Sequence, residues 1–101
     1  MTYPAICDAI RLKHVLRLVY HGGAREVEPY IYGRSATGDE LLRAYQLQGV
    51  SRSGAVAGWK VFRVADISSV SVTFEPFTAP RAGYDPVDTV ITFVNCRVEP
   101  K

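Results

Sequence analysis

The sequence predicts a mainly β (α+β) domain: a small, strongly bent five-stranded barrel preceded by one N-terminal helix and followed by a C-terminal arm. Three observations predict it. Helical spacing of apolar residues is confined to residues 4–12, and alternation with a period of two then recurs in short runs separated by turn residues. After Glu75, Pro76, Pro80, Gly83 and Pro86 interrupt any regular element. Short strands with close-set turns suit a barrel better than a flat sheet.

Pro4 suits a first helical turn, where its missing N–H costs nothing, and Ile6, Ala9, Ile10 and Lys13 follow at helical spacing. The stripe of Ile6, Ala9, Ile10 and Cys7 is narrow, so a helix over 4–12 should cap one side of a sheet. From His14 the period changes. Leu16, Leu18 and Tyr20 alternate with Val15, Arg17 and Val19 as a first strand. His21-Gly22-Gly23-Ala24 supplies the turn, and a second strand runs from about Arg25 to Tyr32. Pro29 removes one donor from it, which predicts an edge strand or one that bends at the proline.

Residues 33–39 read as a loop. Glu40 to Gln48 forms a third strand, with Leu42, Ala44 and Gln46 opposed to Leu41, Arg43, Tyr45 and Leu47. Gly49 to Gly58 is a flexible connection. The fourth strand, Gly58 to Ile67, turns Phe62 and Val64 to the core and holds Lys60 and Arg63 beside hydrocarbon. In the fifth, Val70, Val72 and Phe74 alternate with Ser69, Ser71 and Thr73, leaving one wet face. The apolar run Val90 to Val94 must be covered, by the barrel or by another chain. Its β-branched content favours a strand, with a helical turn near Asp85-Pro86 as the rival.

A chain of 101 residues suits one domain, and 48% hydrophobic with 22% charged residues excludes global disorder. Residues 1–77 are assigned to the helix and barrel, and 78–101 to an arm that packs on the barrel or on a partner protomer. The net charge of +2 is too small to announce a nucleic-acid binder, yet its distribution is uneven. Arg11, Lys13, Arg17 and Arg25 occur with no acid between them, and Arg43, Arg52, Lys60 and Arg63 form a second acid-free block. Converging in space, they would make one face basic; scattered, they are ordinary solvated charges.

Cys7 and Cys96 lie far apart and outside any CxxC spacing, so both are read as reduced, buried thiols. No basic-then-apolar leader opens the sequence, and no apolar run approaches the ~18 residues of a membrane helix, so a cytoplasmic protein is expected. His14 and His21 lack partners at ligand spacing, and neither a metal nor a cofactor is expected. Glu26 and Glu28 share a strand face in the manner of a solvated edge. Asp66 beside Arg63 suits a salt bridge or a turn better than a general base. Gly22-Gly23 lacks the strand-to-helix context of a phosphate loop. With no nucleophile, paired carboxylates or metal set to assemble, the protein is not expected to be an enzyme.

With these elements placed, the chain resembles a WYL domain, a bacterial ligand-sensing module with an SH3-type, Sm-like barrel. The resemblance covers Ile6 to Phe77 and rests on Ala9-Ile10 with Leu16, Leu18 and Tyr20, on Arg25, Val27 and Pro29, and on Lys60-Val61-Phe62-Arg63-Val64, Ile67-Ser68-Ser69-Val70 and Glu75-Pro76-Phe77. Pro80-Arg81-Ala82-Gly83-Tyr84 and Asp88 are similar to segments that trail some members. Where the family carries its Trp-Tyr-Leu triplet, this chain has Glu40-Leu41-Leu42, and Ala65-Asp66 stands where many members have a second cation.

The resemblance implies a sensing module in bacterial transcription regulation or phage defence, where some members are thought to bind nucleotides or single-stranded nucleic acid. No helix-turn-helix precedes the domain here, which suggests a freestanding copy or a fragment. The candidate site is a rim formed by Arg43, Tyr45, Lys60 and Arg63, with Arg25 in support, gripping an anionic ligand through guanidinium forks. Trp59 and Tyr45 could stack bases; Trp59 could equally plug the barrel mouth. The alternative is an interaction module in which Val90, Ile91, Phe93 and Val94 add a strand to another protomer, giving a homodimer.

Overall fold

The computed structural model describes residues 3–49 and 57–99. Helix α1 (Pro4–Leu12) starts at the proline and ends where Lys13 adopts a left-handed φ of 59° and donates its N–H back to the helix. Ile6, Ala9 and Ile10 are buried, and Tyr3 ties the helix start to the Ile67 carbonyl at 2.9 Å.

Six antiparallel strands follow: β1 (His14–Tyr20), β2 (Gly23–Arg34), β3 (Glu40–Gly49), β4 (Gly58–Arg63), β5 (Ile67–Pro76) and β6 (Phe93–Arg97). A 3-10 turn, Val64–Asp66, joins β4 to β5, so the predicted fourth strand ends earlier than expected. The sheet order is β4-β3-β2-β1-β5, with β6 on β2. The expected mainly β fold with one helix forms, but the five-stranded barrel is met only in part: the sheet has six strands and is open, and among the described residues no ladder joins β4 to β5. The connection expected at 49–58 lies largely outside the described residues.

Strand β2 organises the sheet. One edge pairs with β3 throughout, while the other pairs with β1 over residues 23–27 and with β6 over residues 31–34. Pro29 sits in the interval between those two ladders, beside a register shift at Pro29/Ile31. Its missing N–H is thus placed where neither β1 nor β6 pairs with the strand, which lets a proline occupy the middle of a sheet and bend it. The alternative reading of β2 as an edge strand is not what forms.

The β1–β2 turn is shorter than expected. Tyr20 pairs with Gly23, leaving only His21 (φ 52°) and Gly22 (φ 79°) in the loop. Two left-handed residues match the twist of the flanking strands, and here histidine supplies one of them. In β5, Val70 and Val72 are half-buried, but Phe74 is 96% exposed. The register jumps from Leu16↔Val72 to His14↔Pro76, and this bulge carries Phe74 out of the alternation.

Inside the bent sheet, Leu16, Leu18, Val27, Leu42, Ala44 and Phe62 are all buried. Cys7 and Cys96 form a disulfide that joins α1 to β6, correcting the expectation of reduced thiols. The spacing in sequence misled: 89 residues separate cysteines that the return of the arm brings together. The arm buries Ile91 and Val98 in the core. Near Asp85-Pro86 it forms a turn, in which Asp85 accepts the Val87 N–H and Asp88 accepts those of Val90 and Ile91.

Candidate functional site

The residues proposed for one rim divide between two faces of β2–β4. Alternation decides the division: Leu42 pairs with Phe62, Ala44 with Lys60 and Gln46 with Gly58 on the inner face, whereas Arg43, Tyr45, Trp59 and Arg63 point the other way.

On the inner face, Arg25 comes from β2 opposite Leu18. Its guanidinium carbon lies 5.2 Å from the Tyr20 ring centre and 5.9 Å from that of Phe62, a cation held against aromatic faces. Nη1 donates to Gln46 Oε1 across 3.4 Å. Arg25 has donors only, so Gln46 must turn its oxygen toward it, which leaves the amide N–H groups facing elsewhere. Gln46 is fully buried, and among the described residues both its Nε2 and Arg25 Nε lack a hydrogen-bond partner. Lys60 stands half-buried on the same side of β4 as Phe62. Arg63 is exposed, and its backbone N–H donates to the Tyr20 hydroxyl at 3.2 Å. Asp66 pairs with His21 at 3.4 Å instead of with Arg63.

The outer face is covered by the arm. Arg43 forks onto Asp88 at 2.8 and 3.3 Å. Burial alone would raise the Asp88 carboxyl, but the Arg43 bond and the N–H groups of Ile91 and Val90 outweigh it, holding the group below its ordinary range. Trp59 donates Nε1–H to the Ala82 carbonyl at 3.2 Å and lies parallel to Tyr84. Between this face and the arm runs a cleft of about 310 Å³, lined by Arg43, Trp59, Tyr84 and Asp88 among others.

Glu28, read as part of a solvated edge, is 4% exposed and receives both Nε and Nη2 of Arg81 at 2.9 and 2.8 Å. The Arg81 guanidinium lies 4.0 Å from the Tyr45 ring centre. Tyr30 completes the arrangement, accepting the Arg81 backbone N–H and donating to Glu28 Oε1. Burial, with Glu28 beside it, pushes the Tyr30 hydroxyl up to about 12, so it remains a donor. Trp59 therefore packs beneath the arm, in contact with Tyr30, Tyr45 and Tyr84.

Sequence reasoning missed Gln46, Glu28 and Arg81 as functional candidates. Gln46 carried a legible signal, an amide on the otherwise apolar Leu42-Ala44 face. Glu28 and Arg81 carried none, because nothing local predicts that residues 53 apart will meet. Among the described residues, no group of three His, Cys, Asp or Glu could hold a metal, and no helix is long and apolar enough to cross a membrane.

No family model matches the chain, and no curated protein matches it. Among solved structures, it is similar to Proteasome accessory factor B/C (PafBC) of Arthrobacter aurescens, with 25% sequence identity and a TM-score of 0.54 over 77% of this chain. The likeness spans 13% of that protein's length, so what the two share is one module of a larger molecule.

Proposed function

We propose that the chain is a non-catalytic regulatory module of the WYL type, which binds an anionic ligand, a nucleotide or single-stranded nucleic acid, at Arg25, Gln46 and Lys60. The observation that carries this reading is the pair of buried donors without partners, Gln46 Nε2 and Arg25 Nε. A buried unpaired donor costs about 1–3 kcal/mol, and a protein that retains two beside a lysine gains from an acceptor that enters there. Phosphate oxygen fits: it accepts from amide and guanidinium alike, and cations strengthen each bond.

The WYL resemblance of the sequence and the likeness to an accessory factor support the regulatory part. A setting in bacterial transcription regulation or phage defence is carried over from that resemblance. Arg43, Tyr45 and Trp59 leave the proposed contact set, since the arm engages all three.

Titration of the full chain with a short oligothymidylate tests the proposal. Log affinity should fall with log salt at a slope of about −1.4, the value for roughly two neutralised phosphates on a single strand. Lys60→Ala should lower affinity about tenfold with the melting temperature shifted by no more than a couple of degrees. A salt-independent affinity, or equal binding by the variant, would refute it.

A further inference from the structure

The outer face of β2–β4 holds a second, different cluster of polar and aromatic groups. Its base is the buried Glu28 carboxylate, its wall the Tyr45 ring, and its rim the Tyr30 hydroxyl and the Trp59 N–H. The segment seated in it, Pro80 to Tyr84, is held as a bound peptide would be. Arg81 forks onto Glu28, and Trp59 grips the next carbonyl. Gly83 follows with a φ of 91°, and any Cβ there would stand 2.9 Å from Trp59 Nε1. An arginine anchor with a required glycine two residues on is a sequence-selective fit.

We propose that this clasp recognises an extended arginine-bearing segment, filled within one chain by residues 80–84, and that a second copy can fill it by exchanging its arm. The contacts are identical in either arrangement, so the choice turns on effective concentration and on what else the arm exposes. A short tether presents the segment at about millimolar effective concentration, which favours the closed single chain when the protein is dilute. The exposed surface of the arm favours exchange. Among the described residues, four of the six large hydrophobic side chains left exposed belong to the arm: Val87, which lines the cleft, and Val90, Phe93 and Val94. Crossed arms in a two-fold dimer would cover apolar surface that one chain leaves in water.

Two variants break opposite halves of the clasp. Arg81→Ala keeps the receptor and loses the anchor; Glu28→Gln keeps the anchor and loses the receptor charge. Each alone should run as a monomer by light scattering. An equimolar mixture, unfolded and refolded together, regains one intact Glu28–Arg81 pair only across two chains, and should show a species of twice the mass. A mixture that stays monomeric while both variants are folded overturns the proposal.

Wild-type protein gives a second measure if either variant fails to fold. Exchange of the arm moves Cys96 to the other copy, so the Cys7–Cys96 disulfide becomes a link between chains. After oxidative refolding at millimolar concentration, a non-reducing gel should show a dimer band that Arg81→Lys diminishes. Monomer alone at every concentration would contradict arm exchange.

Discussion

The two faces of β3 and β4 carry the same kinds of residue and meet opposite fates. Gln46 and Lys60 follow Tyr45 and Trp59 directly in sequence, yet alternation sends each pair to different sides of the sheet. On the outer side the cations beneath the arm have their anions: Arg43 holds Asp88, and Arg81 holds Glu28. On the inner side, among the described residues, Arg25 meets aromatic rings and a neutral amide, and two donors have no acceptor. Saturated pairs hold a structure together, whereas unsatisfied donors mark a place built for something else.

The strongest way to break this contrast is to lift the arm. Gly33 lies against it so closely that an added Cβ would collide with the Phe93 carbonyl and stand 2.8 Å from Ile91 Cγ2. Gly33→Ala should cost about 3 kcal/mol, at the upper end of overpacking, because the neighbour is backbone and cannot turn aside. Trp59 fluorescence should change as its partners on the arm withdraw. A variant with wild-type stability in urea would show that β6 does not depend on this close approach.

Acid should loosen the outer face before the inner one. The Asp88 carboxyl is depressed below its ordinary 3.8 in the folded protein. Its stabilising contribution is therefore complete above about pH 4 and is lost as the pH falls through the folded-state value. Asp88→Asn should lower stability by about 2 kcal/mol at neutral pH and flatten the decline between pH 5 and pH 2. Parallel acid curves for the two proteins would remove Asp88 from the account.

The smallest effect on stability should come from Gln46→Leu, and that is its value. Replacing Gln46 by hydrocarbon of similar size removes an amide N–H that has no partner among the described residues but also the long bond accepted from Arg25 Nη1, so stability should change by no more than about 1 kcal/mol in either direction. Binding of an oligothymidylate should nonetheless weaken. A variant that is markedly destabilised would make Gln46 a structural residue.

Much of the fold was legible because periodicity is local. Helix α1 and strand β1 form where the spacing places them, and Phe62 and Val64 are buried as their strand context implies. What was not legible depends on long-range return of the chain. The barrel was inferred from short strands and close-set turns, while the actual sheet splits one edge of β2 between β1 and β6. The candidate rim failed as a single site for a related reason. Arg43 and Lys60 look equivalent in sequence, but the β3–β4 register puts them on opposite faces, and Asp88 then arrives from 45 residues away to pair with Arg43 alone. The paired cysteines tell the same story, since nothing near Cys7 predicts that β6 will bring Cys96 to it.

The difference between the faces can be read residue by residue. Amide and side-chain N–H shifts should be followed while a short oligothymidylate is titrated into the full chain. The account predicts saturable changes centred on Arg25, Gln46 and Lys60, including the Gln46 side-chain N–H groups, with the signals of Arg43, Tyr45 and Trp59 left nearly in place. Changes centred on the outer face, or none that saturate, would contradict it.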